Sequence, residues 1–376
     1  RKSRQMIHRA KKMNPNAIVV ATGCYVQAQE QEGTVDECID VLIGNNRKKD
    51  LIQILEEHTA KAVIDINHTK EYENLHISRT GEHTRAYIKV QDGCNQFCTY
   101  CIIPYARGRI RSVEKDVAIA QAKELAAAGY REIVVTGIEI SSYGKDLEQG
   151  VDFADLLTKI AELDGDFLIR FMTSHPRDAS EKLFDTMASS PKIAKQLHLP
   201  FQSGSSRVLK AMNRHYDREK YLSLINRARE LMPDVVFTSD IIVGFPGETD
   251  EDFEDTLAAL RRARFDMIFS FQYSPRENTP AAAMDCQIPK EVKAERFERL
   301  LALQNDISYS LNKEFEGRVV RVLCDGPSKN NPDVFSGRTD GGKIVFFDGD
   351  ERDIGKFLNI KIETGDTFAL SGKIER

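Results

Sequence analysis

Residues 91–112 read QDGCNQFCTYCIIPYARGRIRS and follow an apolar segment, Ala86–Val90, that has the composition of a buried strand. Cys94, Cys98 and Cys101 lie in this stretch with the spacing C-x3-C-x2-C. Three thiolates are one ligand short of a closed tetrahedral zinc site, and no further Cys or His follows at zinc-finger spacing. A [4Fe–4S] cluster held by three cysteines instead keeps one iron available for a small-molecule ligand. The spacing therefore favours an iron–sulfur centre with an open iron.

Five similar units follow this first strand along the chain, each an apolar strand and then a helical segment, at intervals of roughly 30 to 40 residues. The predicted strands are Ala86–Val90, Glu132–Thr136, Leu168–Met172, Gln196–Leu199, Val235–Val243 and Met267–Phe271. The predicted helices between them include Val117–Ala128, Phe153–Leu163, Arg218–Leu231 and Glu251–Ala263, and Thr249 and Asp252 at the start of the last one have the spacing of a capping box. Strand–helix repeats form parallel sheets, and a complete barrel has eight of them, so six predict an open, partial (β/α)6 barrel. The cysteine loop then lies at the carboxyl end of the first strand, where barrel enzymes carry their active sites.

The regions on either side of these repeats have different patterns. Residues 1–65 alternate between helix and strand and predict an N-terminal α/β domain, which we expect to be truncated at its start because residue 1 is not methionine. The polar segment His68–Thr84 is predicted to be a linker. Residues 312–376 contain five short strands with Gly and Asp turns, a pattern typical of a small β-barrel. We therefore predict an α/β protein with domains 1–65, 66–311 and 312–376.

The composition excludes several classes of protein. Hydrophobic residues make up 41% of the 376 residues and charged residues 30%, the balance of a folded, water-soluble protein. No stretch approaches the roughly 18 apolar residues of a membrane helix, and the N-terminus has no signal-peptide pattern, so we expect a cytoplasmic protein without membrane contact. The net charge of −5 means that nucleic acid must be bound by local basic patches. Seven cysteines, three of them crowded together, favour metal or redox chemistry over disulfides.

The cysteine loop resembles that of radical S-adenosylmethionine enzymes, with Tyr100 immediately before the third cysteine. Over the rest of the chain the resemblance narrows to the methylthiotransferases. It is carried by TGIEISSYGKD (136–146), TSHPRD (173–178), LPFQSGSSRVLKAMNRHY (199–216), SDIIVGFPGETDEDF (239–253) and YSPRENTPAA (273–282). Residues 312–376 resemble the TRAM domain, the RNA-binding domain of that family.

The resemblance implies a cofactor and the residues that hold it. In that superfamily the open iron binds the amino and carboxylate groups of S-adenosylmethionine, and one electron from the cluster cleaves it to a 5′-deoxyadenosyl radical. Cys94, Cys98 and Cys101 are then the catalytic, cluster-binding residues. The implied cofactor-binding residues are Tyr100, Gly137, Ser142, Gln202, Ser203, Asp240, Gly244 and Tyr273. On the residues alone, Gly244 also fits an ordinary βα turn and Asp240 an internal salt bridge.

Methylthiotransferases carry a second, auxiliary [4Fe–4S] cluster, held by three widely separated cysteines of their N-terminal domain. Cys24, in ATGCYVQ, matches the third of these, and the other two should precede residue 1. Cys38 fits neither missing position and is interpreted as an ordinary thiol. The family pattern thus implies two clusters, and residues 1–376 provide a complete ligand set for one of them.

Two segments are predicted to contact RNA. Arg107, Arg109 and Arg111 alternate just beyond the cysteine loop, a spacing that suits RNA phosphates or a substrate clamp. A solvated basic face is the alternative interpretation. Residues 1–12 form the other dense basic segment and contain no acidic residue.

The resemblance implies a tRNA methylthiotransferase that adds a methylthio group to C2 of an N6-modified adenosine at position 37, in the anticodon loop. One S-adenosylmethionine would methylate a sulfur of the auxiliary cluster and another would yield the radical, with an electron donor and a sulfur source as further partners. Up to about residue 165 the motifs resemble the threonylcarbamoyladenosine branch, and from about residue 166 the MiaB-type isopentenyladenosine branch, which we favour. The alternatives are a methylthiotransferase acting on a ribosomal-protein aspartate and an inactive RNA-binding homologue.

Overall fold

The structure is a computed structural model that describes residues 2–27, 36–57, 59–74, 84–148, 150–172 and 174–375. Its first part contains helix α1 (Lys2–Met13), strands β1 (Val20–Thr22) and β2 (Val41–Ile43), helix α2 (Leu51–Glu56) and strand β3 (Lys61–Ala62). The three strands form a parallel sheet in the order β1-β2-β3. Strand β2 is buried on both faces, with Leu42 in one apolar cluster and Val41 and Ile43 in another. The predicted N-terminal α/β domain is confirmed.

The central part begins with strand β4 (Arg85–Lys89) and a short hairpin of β5 (Gln91–Asp92) and β6 (Arg111–Ser112), which encloses helix α3 (Ile103–Arg107). It continues with strands β7 (Glu132–Thr136), β8 (Leu168–Phe171), β9 (Gln196–His198), β10 (Val236–Val243) and β11 (Met267–Gln272). Apart from the hairpin, the strands form two parallel sheets, β4-β7-β8 and β9-β10-β11, which an Ile169–Ile193 bridge connects. Among the described residues β4 does not pair with β11. The predicted open (β/α)6 barrel is confirmed, each strand end lying within one residue of its prediction.

Helices pack on one face of these sheets: α4 (Lys115–Ala127), α5 (Phe153–Ala161), α6 (Glu181–Ser189), α7 (Ser206–Ala211), α8 (Arg218–Leu231), α9 (Asp250–Ala263) and α10 (Lys290–Lys313). Helix α9 starts with the predicted capping box, in which Thr249 and Asp252 exchange hydrogen bonds with each other's backbone N–H groups. Helices α6 and α7 were not among the predicted helices; each follows a serine N-cap, Ser180 and Ser205. None of the helices in the described ranges is long and apolar enough to cross a membrane.

The C-terminal part is a closed five-stranded barrel. Its strands are β12 (Val319–Pro327), β13 (Phe335–Thr339), β14 (Ile344–Phe347), β15 (Phe357–Gly365) and β16 (Leu370–Ile374). They close in the order β12-β13-β14-β16-β15 around an apolar interior that includes Val322, Val345 and Ile360. The predicted small β-barrel is confirmed, while the domain boundaries after residues 65 and 311 stay predictions.

Polar contacts place this small barrel against the amino ends of the central strands. Lys343 Nζ lies 2.6 Å from a carboxylate oxygen of Asp266, which precedes β11. Thr84, which precedes β4, donates its hydroxyl to Asp325 at 3.0 Å. Arg170 of β8 donates to the carbonyl oxygen of Thr339 at 3.3 Å. Since the cysteine loop follows the carboxyl end of β4, the small barrel and the three cysteines lie at opposite ends of the central sheet.

Candidate functional site

The loop between β5 and β6 is held in shape by a glycine and by backbone hydrogen bonds. Gly93 has φ +72°, and a Cβ atom there would lie 1.9 Å from the carbonyl oxygen of Arg109, so only glycine fits. The N–H of Cys94 donates to the carbonyl oxygen of Gly108 at 3.0 Å. The side-chain amide of Asn213, which follows α7, donates to the backbone of the loop at 2.9 Å. The cysteine loop is therefore closed by contacts within itself and anchored to the segment that follows α7.

The three cysteine thiols on this loop fit an iron–sulfur cluster. Burial raises the pKa of the Cys94 thiol to about 12, with Glu139 and the neighbouring thiols adding to the shift. Burial likewise raises the pKa of Cys101 to about 11. Thiols of this kind become ligands when a cation displaces their protons, and three soft sulfur donors on one loop suit iron and sulfide. Cys94, Cys98 and Cys101 would hold the cluster that the spacing predicts.

A buried arginine keeps a positive charge beside these thiols. Arg214 is 8% exposed and donates from Nη1 to the sulfur of Cys98 at 3.3 Å. It also donates to the hydroxyl of Tyr216 at 2.9 Å and to the carbonyl oxygen of Pro200 at 3.0 Å. Burial opposes its charge, but Tyr216, Tyr100 and Cys98 outweigh burial and raise the pKa of Arg214. A fixed cation here favours a negatively charged sulfur ligand. Arg214 belongs to the sequence motif at residues 199–216, but its contact with Cys98 was not predicted.

Four of the predicted cofactor-binding residues line one cavity of about 360 Å³ beside the cysteine loop. These residues are Tyr100, Gln202, Asp240 and Tyr273. Gln202 is fixed at the carboxyl end of β10, where its N–H donates to the carbonyl oxygen of Asp240 at 2.8 Å. The hydroxyl of Tyr273 is buried and has no hydrogen-bond partner in the described part of the chain. The cavity is further lined by Ile242, Phe271, Gln272, Ser274 and Arg276, so it combines apolar walls with a few polar groups, as small-molecule sites do.

Three further predicted residues lie behind the walls of this region and stay predictions as cofactor ligands. Gly137 packs against the side chain of Gln91, which orders the turn after β7 by accepting two backbone N–H groups. The hydroxyl of Ser203 lies 3.4 Å from that of Thr256 on α9. Gly244 has φ +74°, and a Cβ atom there would lie 2.2 Å from the side chain of α10 residue Lys293. In the structure these residues shape the carboxyl ends of the strands.

A second set of buried polar atoms lies at the carboxyl ends of β7 and β8. Oε2 of Glu139, Oγ of Ser142, Oγ of Ser174 and Nε2 of His175 have no hydrogen-bond partner within the described residues. Burial raises the pKa of Glu139 to about 7 and lowers the pKa of His175 to about 2. Each unsatisfied buried group costs about 1–3 kcal/mol unless a ligand or an ordered water supplies its partner, so the cluster is a candidate ligand-binding position. Ser142 was predicted as a cofactor residue, whereas the other three were not.

Cys24 lies against the helix that follows the cysteine loop. Arg107 at the end of α3 donates from Nε to the sulfur of Cys24 at 3.0 Å. Asn45 joins the two segments, since its side-chain amide lies 3.7 Å from the same sulfur and 2.7 Å from the carbonyl oxygen of Ala106. The thiol that the resemblance assigns to the auxiliary cluster is thus held next to the loop of the radical cluster.

The other N-terminal cysteine, Cys38, is half-buried beside α1. It lies with His8 and Asp36 in a group whose ligand atoms are all within 4.8 Å of one another, and His8 Nε2 is 2.8 Å from the Asp36 carboxylate. These contacts tie α1 to the segment before β2 and involve neither cluster site.

The structure separates the three arginines that were predicted to bind RNA. Arg111 is 1% exposed, lies 3.6 Å from the Asp92 carboxylate and donates to the carbonyl oxygen of Arg107. Because its guanidinium does not reach the surface, the RNA-binding role predicted for Arg111 is wrong. Arg107 is half-buried between Cys24 and Asp92. Arg109 is exposed, with its guanidinium 4.4 Å from the centre of the Phe97 ring. Arg109 is therefore the one of the three that keeps the predicted RNA role as a proposal.

Comparison with known proteins agrees with this geometry. Residues 88–260 match the radical SAM superfamily, and residues 313–374 match the TRAM domain. Among solved structures, the radical S-adenosylmethionine methyltransferase TsrM from Kitasatospora setae aligns with a TM-score of 0.58 and 16% identity, covering 74% of this chain and 60% of that one. The cobalamin-dependent radical enzyme OxsB aligns with a TM-score of 0.52 and 14% identity, covering 81% and 45%. At these identities the likeness shows the fold alone.

Two relatives are close enough to show the family. A tRNA-2-methylthio-N(6)-dimethylallyladenosine synthase of Clostridium botulinum is 43% identical over 370 residues, which is 96% of this chain and 82% of that protein. One of the same name from Clostridium perfringens is 44% identical over 374 residues, with 97% and 83% covered. The likeness spans the N-terminal sheet, the radical barrel and the TRAM barrel, and the chain therefore belongs to the radical SAM methylthiotransferase family that contains these synthases.

Proposed function

We propose that this protein is a tRNA methylthiotransferase that adds a methylthio group to C2 of N6-(dimethylallyl)adenosine in the anticodon loop. The observation that carries the proposal is the three-cysteine loop beside a cofactor-sized cavity, in a chain 43% identical to synthases named for this product. A flipped-out base of a single-stranded loop can reach such a cavity, whereas a base within a duplex cannot. Because the substrate is tRNA, we place the enzyme in the cytoplasm, with an electron donor and a sulfur source as partners.

The residues of the chain prepare this chemistry in two ways. When bound, the cluster and S-adenosylmethionine supply the one-electron chemistry that activates an unreactive C–H bond. Arg214 contributes a permanent charge next to Cys98, and its own hydrogen bonds to Tyr216 and Pro200 prevent it from turning away. Buried polar atoms of Glu139 and His175 would form hydrogen bonds with a bound ligand.

The auxiliary site is part of the same proposal. Cys24 is the residue of this chain that would bind the second cluster, and Arg107 and Asn45 fix its sulfur against the end of α3. Because α3 begins two residues after Cys101, the auxiliary cluster at Cys24 would lie next to the radical cluster. Both clusters must be close together if they act on one adenosine.

The test is mass spectrometry of nucleosides after incubation of the reconstituted enzyme with tRNA that carries N6-(dimethylallyl)adenosine. We expect conversion to the 2-methylthio derivative. Methylthiolation of threonylcarbamoyladenosine instead would overturn the choice of branch. A mass gain on ribosomal protein alone would favour the aspartate-modifying alternative, and the absence of any bound iron would favour an inactive RNA-binding homologue.

A prediction about RNA binding follows from the exposure of Arg109. We expect Arg109→Gln to weaken tRNA binding and to reduce the slope of log K against log salt by about 0.7 to 0.9, which corresponds to one lost phosphate contact. Arg227→Gln is the matched control, since Arg227 lies on the outer helix α8 paired with Glu181 at 2.8 Å. Binding measured from low to high salt would contradict the prediction if the two variants had equal slopes.

A further inference from the structure

Two phenylalanines are half exposed on the inner face of the open barrel. Phe269 and Phe271 of β11 are 47% and 52% exposed, whereas Ile268, which precedes Phe269, is buried in the main core. In the register of the parallel pair, Phe269 lies opposite Asp240 and Phe271 opposite Ile242. Since successive side chains of a strand point to opposite faces, Ile268 lies on the other face of β11 from the two phenylalanines. Large apolar side chains that stay exposed on a concave face mark a binding surface.

The apolar strip formed by Phe269, Phe271 and Ile242 begins at the cavity of about 360 Å³ beside the cysteine loop. From there it extends toward the amino end of β11. Phe271 and Ile242 line the cavity together with Tyr100, the neighbour of Cys101. Phe269 lies two residues nearer the amino end of β11, where its ring packs edge-on against His198 with centroids 5.7 Å apart. A substituent that extends from the cavity into the barrel therefore contacts Phe271 first and Phe269 next.

Several charged side chains on the inner face are paired with one another. The basic residues on the inner face of β4 and β8 are already ion-paired: Arg85 with Glu132 at 3.2 Å, Lys89 with Asp92 at 2.6 Å and Arg170 with Glu132 at 2.6 Å. Arg276 lines the cavity near the cysteines, where its charge acts on Cys101. Next to Phe269, the Asp240 carboxylate lies 3.6 Å from Nε2 of His198. A hydrocarbon group at this place would contact the rings of Phe269 and Phe271, which carry no charge.

We infer that the strip formed by Phe269, Phe271 and Ile242 binds the dimethylallyl group of the substrate. The inference rests on the proposed function and names the residues that contact the substituent on N6. Phe269 is a specificity residue because it contacts the substituent on N6 and not the reacting C2. Each methylene placed against the ring contributes hydrophobic free energy that unmodified adenosine lacks.

The experiment compares Phe269→Ala with the wild-type enzyme on anticodon stem–loop RNAs that differ only at N6 of the target adenosine. We expect kcat/KM for the dimethylallyl RNA to fall about tenfold, while that for unmodified RNA and the uncoupled formation of 5′-deoxyadenosine stay unchanged. Phe269→Leu, which keeps an apolar side chain, should restore most of the preference. Tyr309→Ala is the matched control, because Tyr309 is an aromatic residue of α10 that is 45% exposed.

The outcomes separate this inference from the proposed function. If wild-type enzyme modifies the dimethylallyl RNA and Phe269→Ala keeps the full preference over unmodified RNA, the inferred site is wrong while the function stands. If wild-type enzyme modifies only threonylcarbamoyl RNA, both are wrong. Equal losses for all RNAs would show that Phe269 supports the fold or the cofactor, and would also overturn the inference.

Discussion

Replacing Cys98 with alanine will reduce both cluster absorbance and 5′-deoxyadenosine formation to background. Cys98 is one of three thiols on the loop after β4, and a cluster that already lacks a fourth protein ligand cannot be held by two. The substitution also removes the sulfur that accepts the hydrogen bond from Arg214, which leaves a buried charge without that partner. Anaerobic reconstitution, visible absorbance and chromatography of the cleaved cofactor measure the two losses.

The matched control for this prediction is Cys286→Ala, because Cys286 is an exposed thiol away from the loop. That variant should keep its cluster and cleave S-adenosylmethionine as wild type does. In residues 1–376 we expect about four irons per chain, since one three-thiol set is complete. Normal cleavage by Cys98→Ala, or about eight irons in this chain, would contradict the assignment of the clusters.

Replacing Cys24 with alanine should abolish methylthio transfer and spare formation of 5′-deoxyadenosine. The reason is that Cys24 lies outside the cysteine loop and would hold only the auxiliary cluster, while Cys94, Cys98 and Cys101 are unchanged. The experiment uses a protein that also carries the other two auxiliary cysteines of the family. Nucleoside mass spectrometry and cofactor cleavage are measured on the same sample.

Cys38→Ala removes a thiol from the same N-terminal domain and serves as the control for Cys24→Ala. Cys38 contacts Asp36 and lies beside His8 instead of α3, so we expect this variant to keep both activities. Loss of cofactor cleavage in Cys24→Ala would show that the two sites are not separate. The cause of that loss would be the missing contact between Arg107 and Cys24, which joins Cys24 to the end of α3.

The sequence alone determined those features that depend on residues close to one another along the chain. The spacing of Cys94, Cys98 and Cys101 predicted an open iron site because all three ligands come from one loop. The strands of the central barrel were predicted to within one residue, since buried parallel strands are short apolar runs bounded by polar turns. Thr249 and Asp252 marked the start of α9 because a capping box is formed within one helical turn.

The tertiary structure alone decided which distant residues meet and which charges are buried. Arg214 reaches Cys98 across 116 positions and Arg107 reaches Cys24 across 83, and no local pattern encodes either contact. Arg109 and Arg111 look equivalent in the sequence, yet the hairpin buries one against Asp92 and exposes the other. The inner-face strip at Phe269 arises only when β10 and β11 pair in register. Local propensity sets elements within a few residues, but burial and charge pairing depend on chain segments that only the fold brings together.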